Sequence, residues 1–263
     1  MKKKLLIFLI FFMIFQNKFL FSKELPLFSI KIKNYQIEYY YGGEKTPYFL
    51  LVHGLGVDKT SFYELAHLLA FKYNYHVLLP DIPGQGNTER IPEMDYSVEN
   101  IADFLYEFIK KLKISKAVVV GNSMGGHIAT VFTLKYPKVV QTLVLINPSG
   151  IEFNNQKPYQ FIPEENFKDI KDTQIVENLK WNNKIRKDIQ NNQYYLLNPY
   201  LKNIKTPTIL FWGSEDSIIP YTYSSEWATE IPNLYFYVLK GGHLLQKEHP
   251  KKIIEKILNS KFQ

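Results

Sequence analysis

The segment that most constrains this chain is a G-x-S-x-G pattern set between a short apolar stretch and a helix-like one. A strand is predicted over residues 117–120 and a helix over residues 128–135, and between them Gly121 and Gly125 bracket Ser123. A serine on so tight a turn is held in strained backbone, with its hydroxyl projecting beyond the end of the sheet. Glycines suit the turn because larger side chains would clash across it. The alternative is an ordinary strand–helix junction containing a serine.

Strand-like and helix-like stretches alternate along most of the chain. Apolar strands are short and lack an alternating polar face, which is typical of strands buried on both sides by helices. We therefore predict an α/β fold, with a mostly parallel, doubly wound sheet. A hairpin is predicted over residues 29–33 and 36–41, further strands over 48–52, 77–79, 117–120, 143–146, 208–212 and 234–239, and helices over 61–71, 97–112, 128–135 and 251–258.

One segment, residues 151–201, interrupts this alternation. It has no clear strand and is rich in asparagine, lysine and aromatic residues. A structureless loop of this length is unusual in a compact domain, so we predict a short helical insertion with helices over 172–184 and 185–197. The segment begins at the C-terminal end of a predicted strand, where functional loops of α/β folds are found. This position favours a lid over a pocket rather than a cap on the sheet edge. The predicted core is therefore divided into residues 23–150 and 202–263.

The first 22 residues have the layout of a targeting segment. Lys2, Lys3 and Lys4 precede an apolar run over residues 5–15, which is shorter than the ~20 residues needed to span a bilayer. Residues 1–22 are predicted to be a signal peptide cleaved after Ser22, or alternatively an uncleaved N-terminal membrane anchor. The corresponding locations are the periplasm or the exterior of the cell, or a membrane surface.

Composition excludes several classes of site. There is no cysteine among the 263 residues, which excludes disulfides, thiolate metal sites and a cysteine nucleophile. The formal net charge is +7, but four lysines lie within the first 22 residues, so the remainder carries only +3. Arg90 and Arg186 are the only arginines, whereas nucleic-acid readout favours arginine. We therefore expect no nucleic-acid partner.

Two further residues complete a candidate catalytic set around Ser123. A serine hydroxyl needs a base, and His243 follows the last predicted strand and two glycines, at the sheet edge where Ser123 lies. Of the other histidines, His67, His76 and His127 have structural or packing contexts, and His249 is expected to be exposed at a helix start. Asp216 follows the strand over 208–212 at the same edge and is expected to orient His243. Glu215 is a minor alternative to Asp216 as the acid. The residue after the strand over 143–146 is Asn147, which is not an acid.

Acyl chemistry also needs N–H donors for the developing oxyanion. One candidate is the backbone N–H of Met124, directly after Ser123. The other is the N–H of Leu55, in the loop after the strand over 48–52. His53, at the end of that strand, is expected to hold the loop rather than to take part in catalysis.

Five short segments, in the order in which they occur along the chain, resemble motifs of the α/β-hydrolase superfamily, in particular those of its esterases, lipases and meta-cleavage (carbon–carbon) hydrolases. The similarity runs from about residue 37 to residue 257 and is weakest over the insertion. The resemblance implies the chain order Ser, Asp, His for the triad. Some members of the family have their catalytic acid after the preceding strand, where this chain has Asn147. The matching segments are H-G-L-G at 53–56, D-I-P-G-Q-G at 81–86, G-N-S-M-G at 121–125, G-S-E-D at 213–216 and G-H at 242–243.

The resemblance implies a serine hydrolase that cleaves carboxylic esters, small or lipid-like. Ser123 excludes epoxide hydrolases and haloalkane dehalogenases, which use an aspartate. A carbon–carbon hydrolase acting on a vinylogous diketone acid is the alternative, and Arg186 is its candidate carboxylate clamp. A non-catalytic ligand-binding protein is the alternative from another class. We expect no cofactor, metal or protein partner, and association with a membrane or lipid surface is compatible with residues 1–22.

Overall fold

The computed structural model describes residues 24–260, so the predicted leader lies outside the described residues. Eight strands form one sheet with helices on both faces, which confirms the predicted fold class. Within residues 24–260 no helix is both long and apolar enough to cross a membrane. The strands are β1 (Leu27–Ile32), β2 (Tyr35–Gly42), β3 (Lys45–Val52), β4 (Tyr75–Pro80), β5 (Ala117–Asn122), β6 (Val140–Ile146), β7 (Thr208–Gly213) and β8 (Leu234–Leu239).

The strand order brings the ends of several strands together at one edge of the sheet. The order is β1-β2-β4-β3-β5-β6-β7-β8, and only β2 runs antiparallel to its neighbours. From β4 to β8 along the sheet every pairing is parallel. The loops that leave β3, β5, β6, β7 and β8 therefore all emerge on the same side, which is where α/β folds build their sites.

Buried side chains of the central strands alternate between two apolar cores. In β5, Val119 packs into one core, whereas Val118 and Val120 pack into the other. The helices over Val98–Lys111 and Met124–Lys135 cover the first face, and those over Tyr63–His67 and Pro250–Leu258 cover the second. The period of two is what a sheet buried on both sides requires. The helices are α1 (Tyr63–His67), α2 (Val98–Lys111), α3 (Met124–Lys135), α4 (Thr173–Gln190), α5 (Ser224–Glu230), α6 (Leu245–Glu248) and α7 (Pro250–Leu258).

The insertion between β6 and β7 contains one long helix, α4, so the prediction of two helices was wrong. Asp172 caps its N-terminus by accepting a hydrogen bond from the N–H of Gln174 at 2.9 Å. Ile185 and Ile189 are both buried, so the apolar stripe continues through the expected break. No glycine or proline interrupts the helix there, and it ends only at Gln190.

The insertion is fastened at its base and along its length. The N–H of Leu197 donates to the carbonyl of Gly150 at 2.7 Å, which closes the base. Trp181 of α4 donates its indole N–H to the carbonyl of Gly84 at 2.6 Å. The helix is thereby held against the loop that follows β4.

Candidate active site

Ser123 lies on a strained turn between β5 and α3. Its backbone has φ 56° and ψ −123°, a conformation that costs a non-glycine residue about 1–3 kcal/mol. A Cβ atom at Gly121 would lie 2.2 Å from the carbonyl oxygen of Gly125, and one at Gly125 would lie 2.0 Å from that of Val52. Both positions therefore require glycine. The Ser123 hydroxyl makes no capping bond to α3, so it is not committed to the helix.

The loop after β3 approaches Ser123 closely. A Cβ atom at Gly54 would lie 3.2 Å from the Cβ of Ser123, so the glycine lets this loop pack beside the serine. Leu55 and Met124 both line the pocket that contains Ser123. Met124 is the first residue of α3, and the first N–H groups of a helix have no acceptor within it. Both residues whose N–H groups are predicted to bind the oxyanion therefore lie on the pocket that contains Ser123, and the role of these N–H groups stays a prediction.

His53 holds this loop, as the sequence predicted. It is fully buried, and its Nε2 accepts a hydrogen bond from the N–H of Ile82 at 3.1 Å. Its Nδ1 therefore carries the proton and donates to the carbonyl of Gly54 at 3.0 Å. Burial lowers the pKa of His53, which keeps the ring neutral. The histidine joins the loop after β3 to the turn after β4.

A buried ion pair supports the same turn, and the sequence analysis missed it. Lys59 Nζ lies 2.6 Å from Asp81 Oδ2, and the Lys59 N–H donates to Asp81 Oδ1 at 2.8 Å. Burial disfavours the charged lysine, yet its hydrogen bond to Asp81 raises the pKa of Lys59 above its ordinary value. A Cβ atom at Gly86 would lie 2.2 Å from Asp81 Cγ, which explains the second glycine of the D-I-P-G-Q-G motif.

His243 and Asp216 form a close pair between the loops after β8 and β7. His243 Nδ1 lies 2.7 Å from Asp216 Oδ2, and the aspartate side chain is fully buried. Asp216 Oδ1 also accepts hydrogen bonds from the N–H groups of Ile218 and Ile219, at 2.8 and 2.9 Å. The carboxylate is thus fixed, and it assigns the Nδ1–H tautomer to His243, leaving Nε2 free to accept a proton. Glu215 is exposed instead.

Two amide side chains position the backbone of His243. Asn122 Nδ2 and Asn147 Nδ2 both donate to the His243 carbonyl, at 3.0 and 2.9 Å. Asn147 also donates to the carbonyl of Gly242 at 3.0 Å and accepts from the N–H of Gly213 at 2.8 Å. One buried asparagine thereby joins the ends of β6, β7 and β8. The sequence had identified Asn147 only as a residue that is not an acid.

A pocket of about 640 Å³ opens at this edge of the sheet. Ser123 and His243 both line it, with Asp216 behind the histidine. Lys157 and Arg186 are the basic residues of its wall besides His243, and none of the aspartates or glutamates of residues 24–260 lines it. Much of the remaining wall is apolar, from the loops after β3, β6 and β7 and from the insertion; these residues include Leu55, Val57, Ile151, Ile219, Pro220 and Leu244.

His127, one turn beyond Ser123, connects α3 to the insertion. Its Nε2 donates to the carbonyl of Tyr194 at 2.7 Å, so its Nδ1 accepts from the Tyr159 hydroxyl at 2.8 Å. The Tyr159 oxygen in turn accepts from Ser149 at 2.6 Å. Burial lowers the pKa of His127 to about 4, so the ring is neutral at pH 7. His127 therefore has the packing role that the sequence indicated.

Metal-ligating side chains do not cluster in the part of the chain that the structure describes. No group of three or more histidine or acidic side chains could hold an ion in residues 24–260. His243 instead has a carboxylate partner, and His127 and His53 are bonded to backbone and hydroxyl groups.

The doubly wound sheet, with a glycine-bracketed serine turn after its fifth strand, defines an α/β-hydrolase. A family model described as the alpha/beta hydrolase fold matches residues 47–169 and 167–250, and the chain belongs to this family of hydrolases. Monoacylglycerol lipase ABHD6 of Mus musculus is 24% identical over 86% of this chain and 80% of its own.

Two crystal structures are similar over most of the fold. A protein assigned as a lipase, from Acinetobacter baumannii, is 26% identical with a TM-score of 0.76, over 89% of this chain and 90% of its own. A membrane phospholipase A is 23% identical with a TM-score of 0.77, over 99% and 100% of the two chains.

Proposed function

We propose that this protein is a serine hydrolase that cleaves carboxylic esters through Ser123, His243 and Asp216. The observation that carries the proposal is the 2.7 Å pairing of His243 with the buried Asp216, on a pocket that also contains Ser123 on its strained turn. In this proposal His243 Nε2 takes the proton from the serine hydroxyl. Asp216 fixes the histidine tautomer and stabilises the imidazolium that forms.

The reaction follows from these positions. Ser123 Oγ attacks the ester carbonyl, and the N–H groups of Leu55 and Met124 stabilise the negative oxygen of the tetrahedral intermediate. His243 returns the proton to the alcohol as the C–O bond breaks, leaving an acyl group on the serine. Water, deprotonated by the same histidine, then attacks the acyl carbonyl. His243 returns this proton to Ser123 Oγ as the acyl C–O bond breaks, which releases the acid and restores the serine.

Lipid-like esters are the proposed substrates, and residues 151–201 are the proposed lid. The pocket wall is largely apolar, and the insertion supplies Ile151, Tyr159 and Arg186 to it. Similarity to a monoacylglycerol lipase and to a protein assigned as a lipase supports the same substrate class.

Hydrolysis of p-nitrophenyl esters from acetate to palmitate tests the proposal. Turnover is expected to fall by about 10⁴-fold or more in Ser123→Ala. Ser217→Ala removes another serine of the pocket wall and is expected to retain activity. A folded protein that neither hydrolyses any ester nor reacts with a fluorophosphonate at Ser123 would contradict the proposal and favour a ligand-binding protein.

Carbon–carbon hydrolysis is the second candidate, and one observation favours it. Arg186 lines the pocket, where a carboxylate clamp for a vinylogous diketone acid is needed. Fluorophosphonate labelling of Ser123 without ester turnover, together with cleavage of such a diketone acid, would establish this reaction instead.

Association with a lipid surface is proposed alongside the ester reaction. The apolar run over residues 5–15 supports it, as does Ile218, which lines the pocket although its side chain is 68% exposed. Co-flotation of the full chain with phosphatidylcholine vesicles is the test, and protein that stays at the bottom of the gradient would contradict the proposal.

A further inference from the structure

Arg186 is a half-buried cation that has no counter-ion among the described residues. It lies on α4 and lines the pocket that contains Ser123. Its hydrogen bond is from Nη1 to the side-chain oxygen of Asn183 at 3.2 Å, and no carboxylate pairs with it among residues 24–260. A guanidinium has five donors, so most of its capacity for hydrogen bonding is unused.

Other basic residues near the insertion do have partners. Lys184, on the same helix, lies 2.6 Å from Asp188. Arg90 is exposed, donates to the side chain of Asn178 at 2.6 Å and stacks on Trp181. Arg186 differs from Lys184 because its partner is a neutral amide, and it differs from Arg90 because it is half-buried and lines the pocket.

The groups that face Arg186 offer no negative charge. In the part of the chain that the structure describes, no aspartate or glutamate lines the pocket, and Lys157 adds a second cation to its wall. Tyr159 is the titratable group whose ionised form would stabilise the charge of Arg186, but burial raises the pKa of Tyr159 well above its usual range, so it is a neutral phenol. Burial lowers the pKa of Arg186, but a guanidinium remains charged at pH 7.

A desolvated charge without a partner is unfavourable, so a counter-ion is most useful when it arrives with the ligand. The planar guanidinium fork matches the two oxygens of a carboxylate or phosphate. We propose that Arg186 binds an anionic group, a phosphate or a carboxylate, on the substrate, so that this pocket selects anionic esters over neutral ones. The inference rests on the proposed ester hydrolysis and specifies its substrate class.

Matched ester pairs test the selection. One pair places a phosphate on the alcohol side, 1-dodecanoylglycerol 3-phosphate against 1-dodecanoylglycerol; the other places a carboxylate on the acyl side, mono-p-nitrophenyl sebacate against p-nitrophenyl decanoate. We expect kcat/KM to favour the anionic member of at least one pair by about 10- to 100-fold, the usual value of a charged hydrogen-bonded contact. The pair that shows the preference identifies the source of the anion.

Variants assign the preference to Arg186. Arg186→Gln is expected to remove it by lowering kcat/KM for the anionic ester, with the neutral ester changed by less than about threefold. Arg186→Lys keeps the charge and is expected to restore part of the preference. Arg90→Gln removes the other arginine and should change neither ratio. Thermal unfolding of Arg186→Gln should match or exceed that of the parent, because an unpaired charge is removed.

A binding measurement separates this inference from the proposed reaction. In full-length Ser123→Ala protein, octyl phosphate should raise the thermal midpoint more than octanol does, and adding Arg186→Gln should abolish the difference. Equal effects of the two ligands, or equal rates on both ester pairs in the parent, would overturn the role of Arg186 while leaving ester hydrolysis intact. Binding of octyl phosphate without turnover of any ester would instead support Arg186 and contradict the proposed reaction.

Discussion

Removing the Asn147 side chain is expected to cost both stability and catalytic rate. In Asn147→Ala three hydrogen bonds disappear, to the carbonyls of Gly242 and His243 and from the N–H of Gly213. At about 1 kcal/mol for each bond the loss is about 3 kcal/mol. Asn147 also has φ 44°, a left-handed conformation that alanine adopts at a cost of about 1 kcal/mol more. The total is about 4 kcal/mol.

Asn147→Gly separates the two contributions, because glycine tolerates this φ and loses only the hydrogen bonds. For a chain of this size each kcal/mol lowers the unfolding temperature by about 2–4 °C, so the glycine variant should lose about 6–12 °C and the alanine variant somewhat more. Asn233→Ala removes an exposed amide that bonds to the Lys205 carbonyl and is the control. Differential scanning calorimetry at pH 7 measures all three.

The kcat values of the two variants test whether Asn147 positions His243. Asn122 still bonds to the His243 carbonyl in the variants, so the loop is loosened rather than freed. A displacement of His243 by about 1 Å should lower kcat by about 10- to 100-fold with little change in KM. The same fall is expected in Asn147→Gly. Unchanged kcat in a glycine variant that has lost stability would refute the positioning role, and unchanged stability would refute the value given to the bonds.

Three further results are expected. Because the folded protein resists protonating His127 until about pH 4, whereas an unfolded histidine titrates near 6.5, stability should fall by about 3 kcal/mol as the pH falls between these values. Urea unfolding at pH 7 and 4.5 should show a shallower dependence in His127→Gln, and an equal slope would contradict the assignment. Gly54→Ala should leave the unfolding temperature nearly unchanged but lower kcat/KM by about tenfold, since its Cβ would lie 3.2 Å from that of Ser123; full activity would argue against a tight approach. Lys59→Met should destabilise the protein by about 3–5 kcal/mol in urea unfolding, because Asp81 stays buried without its partner, and a loss below about 1 kcal/mol would show that the pair is dispensable.

Local patterns were enough to predict the sheet. The strand predicted over residues 234–239 has the bounds of β8, Leu234–Leu239, and the apolar run over 117–120 lies within β5. These strands are apolar throughout because helices cover both faces, so their signal is present in a few consecutive residues. The turn around Ser123 was equally accessible, since its two glycines are required by contacts across the turn itself.

Interactions between residues that are far apart in the sequence could not be predicted from local patterns. Lys59 and Asp81 are 22 positions apart in the sequence. The residues around Lys59 form no pattern from which a buried ion pair could be predicted. From the sequence, Asn147 was identified only as a position without an acid, because its three partners lie at the end of β7 and in the loop after β8. Only the folded sheet brings these segments beside it. A break was predicted at Ile185, whereas α4 continues to Gln190. In the sequence, the apolar residue that continues the stripe of one helix resembles the first apolar residue of a second helix.

The closed base of the insertion makes residues 151–196 an exchangeable module. The chain departs at Gly150 and returns at Leu197, and a single backbone hydrogen bond of 2.7 Å joins the two points. A different segment could therefore begin and end there without parting β6 from β7, provided that it covers the core where Ile185 and Ile189 now pack. The amide bonds that hold the His243 backbone come from Asn122 and Asn147, outside this segment, so they can persist when what enters the pocket is changed. Graft libraries that replace this segment should alter selectivity while preserving the reactive centre.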